Sequence, residues 1–183
     1  PMNALVSDQV SRLRRLIGDL DHRFVKIFRE TCGNGVRRPQ FGMYTGRTPY
    51  AGPEPRKDAD HRLENTYSKM VHPETDEGED FLRQLTKEGK IPSKENFDAF
   101  LEKLHNSKHI PDAEDAELVT RFEMQQFCPD ILITNYSMLE YMLLRPREKK
   151  IWDDTKRWLE SDPKNKLLFV IDEAHMYLSL IHI

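Results

Sequence analysis

Two adjacent carboxylates, Asp172 and Glu173, follow the apolar run LLFVI at 167–171. Open α/β sheets bind their ligands at the carboxyl ends of buried parallel strands. A carboxylate at that place can hold the magnesium ion of a nucleoside triphosphate, usually through water, and a second can orient and deprotonate the attacking water. The pattern therefore predicts Asp172 as the acid on the metal side and Glu173 as the general base. His175 can relay the state of the nucleotide to a neighbouring motif by hydrogen bonding.

The same pair has a plainer interpretation, because Asp and Glu also suit the positive end of a helix that follows a strand. The complete string VIDEAH at 170–175 is more specific. It resembles the Walker B motif of superfamily 2 DEAD/DEAH-box helicases. The resemblance implies ATP and Mg2+ as cofactors, ATP hydrolysis as the activity and nucleic acid as the partner, with DNA favoured over RNA.

The start of the chain resembles a second motif of these helicases. Residues 1–9, PMNALVSDQ, are similar to motif Ia, a strand-to-helix junction against which the family places the nucleic-acid backbone. Free N–H groups at a helix N-terminus bind phosphate, and Asn3 would cap the helix and add a side-chain donor. Without the other motifs, Asn3 would be interpreted as an ordinary helix cap.

A third match, YTGRT at 44–48, resembles the TG element that ends the next strand of these proteins. Gly46 lets the backbone approach a phosphate closely, and Thr45 and Arg47 can donate hydrogen bonds to it. By itself this signal is weak, because glycine is common at the ends of strands.

The fourth match, PDILITNYSML at 129–139, resembles motif Ib. The resemblance implies that Thr134 contacts backbone phosphate and that Asn135 and Ser137 shape the start of the following helix. Many relatives carry Pro where this chain has Tyr136, which leaves the subfamily open. The sequence LEYMLLRP at 139–146 is most similar to large bacterial helicases of the Lhr-like or phage-defence kind.

These motifs must be positioned by strands and helices. Apolar runs predict strands at 41–45, 131–133 and 167–171, the last two buried on both faces. Turns are predicted at 33–35 and 162–165, and a loop at the acidic run 74–80. Helices are predicted from about Ala4 into the twenties and near 60–70, 78–89, 94–106, 114–127, 137–144 and 152–159. Buried strands alternating with helices predict an α/β fold with a parallel sheet covered on both faces. The resemblance makes that sheet RecA-like and incomplete.

Charge and composition divide the chain into parts. Residues 1–50 hold nine Lys and Arg against four acids, whereas residues 51–130 hold eleven against nineteen. We expect a first RecA-like part at 1–50, a polar, mostly helical insertion at 51–127, a second RecA-like part at 128–177 and a non-native tail at 178–183.

The basic start is compatible with an anionic partner or with a solvated helix face. The histidines of the insertion lack convincing metal-ligand spacing.

The 183 residues, with 28 Lys and Arg, 31 Asp and Glu and two cysteines, also exclude some classes. No stretch approaches the roughly 20 apolar residues of a membrane span, no signal peptide is visible, and two cysteines make no disulfide framework. The cytoplasm is the expected compartment. The chain begins at Pro1 and contains no G-x-x-x-x-G-K-[ST] loop, so we expect a fragment without ATPase activity of its own.

Three functions remain open for the parent protein. The first is an ATP-dependent helicase. The second is a nucleic-acid-binding or scaffold module with a degenerate ATPase. The third is a translocase motor subunit, without strand separation, that has partner proteins in a restriction, defence or repair complex.

Overall fold

The computed structural model describes residues 2–18, 22–49, 76–105 and 111–172. Three short strands and seven α-helices are found there, with a turn of 3-10 helix at Pro146–Glu148. The strands are β1 (Phe41–Tyr44), β2 (Glu117–Leu118) and β3 (Ile131–Thr134). The helices are α1 (Met2–Leu16), α2 (Arg23–Cys32), α3 (Asp76–Lys87), α4 (Phe97–His105), α5 (Arg121–Gln126), α6 (Tyr136–Leu144) and α7 (Lys149–Ser161).

The three strands form one parallel sheet in the order β2-β1-β3. The register pairs Phe41 of β1 with Glu117 of β2 and with Ile131 of β3, and Tyr44 with Thr134. Parallel strands need crossover connections, which here contain helices. The predicted α/β class with a parallel sheet is therefore confirmed.

Alternation along β1 places the core on both faces of the sheet. On one face Phe41 packs with Val10 and Ile17 of the α1 segment, and Met43 lies against the same cluster. On the other face Tyr44 packs with a set contributed by β2, α5, α6 and α7. Its buried members are Leu118, Met124, Met138, Met142 and Ile151. Helices thus cover both faces of the sheet, as the sequence predicted.

Several predicted elements are confirmed with small shifts of their ends. The strand at 41–45 is β1, the turn at 33–35 is present, and the helices at 78–89, 94–106, 137–144 and 152–159 are α3, α4, α6 and α7. The turn at 162–165 is closed by a hydrogen bond of 3.0 Å from Asn165 N–H to the Asp162 carbonyl. The predicted helix at 60–70 lies outside the described residues.

Three predicted elements differ from the structure. The first helix ends at Leu16, and a second begins at Arg23. The acidic run at 74–80, predicted as a loop, enters α3 from Asp76 onwards. The predicted helix at 114–127 is strand β2 followed by the short α5, because a capping box formed by Thr120 and Glu123 starts the helix at Arg121.

The segment predicted as an insertion also contributes to the sheet. Strand β2, at 117–118, pairs with β1, and α5 packs on the face that carries Tyr44. Residues 111–127 are therefore part of the same packed core as the motif-bearing segments.

Two apolar runs are less buried than predicted. β3 lies at the end of the described sheet, and Ile131 is 38% exposed rather than buried on both faces. Residues 167–171 form no strand, and each of them is exposed. A parallel strand needs a hydrogen-bonding neighbour and helices over both faces. The described part of the chain supplies neither to residues 167–171, so the prediction of a buried strand there is wrong for this structure.

No helix in the described ranges is long and apolar enough to cross a membrane.

Candidate functional site

The carboxyl ends of β1 and β3 bring most of the predicted contact residues together. Tyr44 and Thr134 are partners in the register of these adjacent parallel strands. The residues that follow Tyr44 (Thr45, Gly46 and Arg47) therefore lie beside Asn135, which follows Thr134. This edge, residues 45–49 and 134–135, is the candidate site.

Residues 45–49, which we call the 45–49 loop, form a tight hydrogen-bonded turn. Thr45 is 2% exposed, and its backbone N–H donates to Thr48 Oγ1 at 2.9 Å. Thr48 Oγ1 in turn donates to the Met43 carbonyl at 2.7 Å, and the Arg47 N–H donates to Thr45 Oγ1 at 3.2 Å. The Thr45 hydroxyl is therefore used inside the turn, whereas Gly46 and Arg47 are exposed at its tip.

Thr134 and Asn135 organise the neighbouring strand end. Thr134 Oγ1 donates to the Tyr44 carbonyl at 2.7 Å and so ties β3 to the end of β1. Asn135 Oδ1 accepts the Met138 N–H at 2.9 Å, which makes Asn135 the N-cap of α6. Of the two residues predicted to shape the start of this helix, Asn135 and Ser137, Asn135 is the cap. The N-terminus of α6, with its positive dipole end, thus lies at the candidate site.

Arg121 is a part of this site that the sequence motifs did not reveal. Its backbone N–H donates to the Pro49 carbonyl at 2.9 Å, and its Nη2 donates to the Thr45 carbonyl at 2.6 Å. Its guanidinium carbon lies 5.4 Å from the centre of the Tyr44 ring. The sequence signal that could have located it is the capping-box pattern TRFE at 120–123.

A buried polar cluster lies beneath the loop. The Tyr44 hydroxyl donates to Glu148 Oε1 at 2.7 Å and accepts a hydrogen bond of 2.9 Å from Gln125 Nε2. Burial of the ring, and then the hydrogen bond to Glu148, raise the pKa of Tyr44 well above its ordinary value. The phenol is therefore a proton donor that holds Glu148, and it links β1 to the start of α7.

A second buried cluster fixes the start of α5. Lys94 Nζ lies 3.0 Å from Asp115 Oδ2 and 2.5 Å from Glu123 Oε1, and all three side chains are at most 7% exposed. Burial by itself lowers the pKa of Lys94, but the attraction of Glu123 and Asp115 outweighs it and raises the pKa. Glu123 also closes the capping box of Thr120, so this buried cluster fixes the backbone position of Arg121, the first residue of α5.

Asn3 lies inside the first turn of α1, which begins at Met2, so it does not precede the helix as a cap. Arg14, near the other end of α1, forms a two-pronged ion pair with Glu117 at the start of β2. The carboxy-terminal part of α1 thus lies at the amino edge of the sheet.

The predicted catalytic acids fall at the border of the described residues. Asp172 is exposed, whereas Glu173 and His175 lie outside the described residues. No group of three or more His, Cys, Asp or Glu side chains that could hold a metal ion is present in the described part of the chain. The donor chemistry of Asp172 alone fits Mg2+, which uses one or two carboxylates and keeps several waters.

Several arginines of the first 50 residues form ion pairs within the fold. Arg14 pairs with Glu117 at 2.7 Å, and Arg29 pairs with Glu114 at 2.6 Å. Arg37 pairs with Asp130 at 2.8 Å. Charge along the chain is therefore a poor guide to a phosphate-binding surface here, whereas Arg47 is exposed at the candidate site.

Comparison with known proteins found one similar curated protein. The chain is 43% identical to Druantia protein DruE of Escherichia coli (strain UMEA 4076-1) over an alignment of 202 positions, which covers 97% of this chain. The chain spans about a tenth of the length of that relative. No protein-family profile and no solved structure matches the chain.

Proposed function

We propose that this chain is part of an ATP-dependent helicase or translocase that moves on nucleic acid, with DNA as the favoured track. The observation that supports the proposal is the common edge formed by the TG-like and motif Ib-like segments. The two segments are 90 residues apart in sequence, yet the register pairs Tyr44 with Thr134. A parallel α/β sheet binds ligands at this edge. The proposal assigns the sheet to a RecA-like domain.

The candidate site has the chemistry of a backbone contact. Gly46 and Arg47 are exposed at the tip of the loop, and the N-terminus of α6, with its positive dipole end, lies beside them. Asn3, in the first turn of α1, belongs to the same proposed contact surface. Thr45, Thr134 and Asn135 act in this proposal by shaping the surface, because their side-chain oxygens are hydrogen-bonded within it.

The proposed ATP site is at the end of residues 167–171. Asp172 would hold Mg2+ through water, Glu173 would be the general base and His175 the link to neighbouring motifs. The bound Mg2+ would neutralise charge on the phosphates of ATP. The bound nucleotide would shift the populations of two domain arrangements. This shift would change the affinity of the contact surface for the nucleic-acid backbone.

The motor-subunit alternative also has support. Similarity to Druantia protein DruE fits a motor that works with partner proteins in a defence complex. Such a motor hydrolyses ATP and translocates without separating strands. The scaffold alternative, with a degenerate ATPase, binds nucleic acid and does not hydrolyse ATP.

The test is ATP hydrolysis by the complete gene product, with and without single-stranded DNA. We expect stimulation by DNA. Glu173→Gln should reduce turnover at least about a hundredfold while DNA binding persists, because it removes the proposed base and leaves the contact surface. Glu160→Gln, an exposed change on α7, is the matched control and should leave turnover unchanged.

The outcomes separate the three functions. Binding without hydrolysis by the wild-type protein would favour the scaffold. Hydrolysis and translocation without strand displacement would favour the motor subunit. Full turnover by Glu173→Gln would refute the assignment of the ATP site.

A further inference from the structure

Both ends of the 45–49 loop are held by one residue from another part of the chain. Arg121 N–H binds the Pro49 carbonyl at 2.9 Å, and Arg121 Nη2 binds the Thr45 carbonyl at 2.6 Å. Arg121 is separated from Thr45 by 76 residues. The loop conformation therefore depends on a segment that carries none of the recognised motifs.

The start of α5 gives Arg121 a fixed position. Thr120, the residue before it, is fully buried and caps the helix by accepting the Glu123 N–H at 3.1 Å. Glu123 is held by Lys94 and accepts the N–H of Thr120 at 2.9 Å. Because both polar partners are buried, the first turn of α5 has little freedom to move away from the loop.

The guanidinium of Arg121 suits this position better than an ammonium would. It contacts the Tyr44 ring while donating to a carbonyl, and a planar guanidinium can do both at once. A charge-assisted hydrogen bond of this kind is stronger than a neutral one. The Thr45 carbonyl is thereby held on the inner side of the loop, and the exposed tip carries Gly46 and Arg47.

We propose that Arg121 is a positioning residue that holds the 45–49 loop in the shape in which Gly46 and Arg47 meet a nucleic-acid phosphate. The phosphate part of this inference rests on the proposed function. The ordering of the loop by Arg121 does not, because it concerns contacts within the chain.

The first experiment measures loop order without nucleic acid. Amide hydrogen exchange is followed by mass spectrometry in the complete gene product and in its Arg121→Gln and Arg121→Lys variants. Arg121→Gln should speed exchange in the 45–49 loop about tenfold, and Arg121→Lys should have a smaller effect because it can still donate to one carbonyl. Exchange in α6 should not change. Unchanged exchange in the 45–49 loop would overturn the inference.

The second experiment measures binding of a fluorescently labelled single-stranded oligonucleotide over a range of salt concentrations. Arg47→Ala should weaken binding and lower the salt slope by about 0.7, since one phosphate contact is lost. Arg121→Gln should weaken binding about tenfold at an unchanged slope, because Arg121 acts through the loop. The double variant should bind no more weakly than the weaker of the two single variants. Arg157→Gln, an exposed arginine on α7, is the control for loss of one charge.

Three results would count against the proposal. A slope lowered by about 0.7 in Arg121→Gln would make Arg121 a direct phosphate contact. Unchanged binding despite a loosened loop would remove the link between loop order and recognition. Failure of the wild-type protein to bind the oligonucleotide would refute the proposed function and the phosphate part of the inference, and hydrogen exchange would then decide separately whether Arg121 orders the loop.

Discussion

At the scale of single residues, the pair formed by Tyr44 and Glu148 supports the candidate site from inside the fold. Glu148 is 2% exposed, and its Oε1 accepts the Tyr44 hydroxyl at 2.7 Å. Its Oε2 has no hydrogen-bond partner among the described residues. The Glu148 carboxylate therefore has few hydrogen-bond donors, and loss of the phenol should lower the free energy of unfolding.

We predict that Tyr44→Phe lowers the free energy of unfolding by about 1–3 kcal/mol, because Glu148 would lose its donor while it stays buried. Urea denaturation of the 183-residue chain measures this change. Tyr141→Phe is the matched control, since Tyr141 is 54% exposed. Equal stability of the two variants would contradict the role given to the Tyr44 hydroxyl.

The pH dependence of the same comparison gives a second prediction. The pKa of Tyr44 is raised from its ordinary value of 10.0 in the folded chain, chiefly by burial. The unfolded chain therefore loses this proton first, so the contribution of the phenol is complete below pH 10 and is lost as the pH rises further. The stability difference between wild type and Tyr44→Phe should shrink above pH 10 by about 1.4 kcal/mol per pH unit. A stability difference that does not shrink as the pH rises above 10 would contradict this interpretation.

At the scale of elements, the turn after α3 is joined closely to α1. Gly89 has a φ of +69°, and a Cβ added there would lie 2.3 Å from the Ser11 carbonyl oxygen. Arg14 of α1 donates to the carbonyls of Gly89 and Lys90 at 3.2 and 3.1 Å. The part of the polar segment that follows α3 is thus packed on a helix of the sheet domain.

We predict that Gly89→Ala destabilises the chain by more than about 2 kcal/mol, because it combines an unfavourable backbone conformation with a clash against backbone. Gly35→Ala is the control, since an added Cβ there meets nothing within 4 Å. Urea denaturation of both variants checks the comparison. A loss below about 0.5 kcal/mol for Gly89→Ala would show that α3 and α1 can separate without cost.

At the scale of the whole molecule, opposite charges in distant parts of the sequence meet in the fold. The pair of Arg14 and Glu117 has side chains that are 13% and 4% exposed, whereas those of Arg29 and Glu114 are 32% and 40% exposed. Both pairs connect the basic start of the chain to the acidic segment. Burial should make their energetic contributions different.

We predict a coupling energy above about 2 kcal/mol between Arg14 and Glu117, and below about 1 kcal/mol between Arg29 and Glu114. The reason is that water screens the second pair, whereas removal of one partner of the first leaves a buried charge unpaired. Double-mutant cycles with leucine at each position, followed by urea denaturation, measure both couplings. Similar coupling energies would show that burial does not decide the strength of these pairs.

The sequence predicted the local elements best where local signals are strong. The helix at α6 follows from an apolar segment with two capping candidates, Asn135 and Ser137, of which the structure uses Asn135. β1 follows from a short apolar run that ends before a Thr-Gly turn. β2 was missed because two residues give no periodic signal, and they become a strand only by pairing with β1.

The sequence by itself determined the fold class, the position of β1 and β3, and the segments that end at the candidate site. These follow from apolar periodicity and from motifs, which are local properties of the chain. The tertiary structure decided which polar groups remain exposed at that edge. It placed the Thr45 hydroxyl inside the turn, left Arg47 at the surface and brought Arg121 under the loop. It also paired the basic start with the acidic segment. The contact of Arg121 with the loop and the pair of Arg14 and Glu117 join residues that are 76 and 103 positions apart, and no local pattern records such partners.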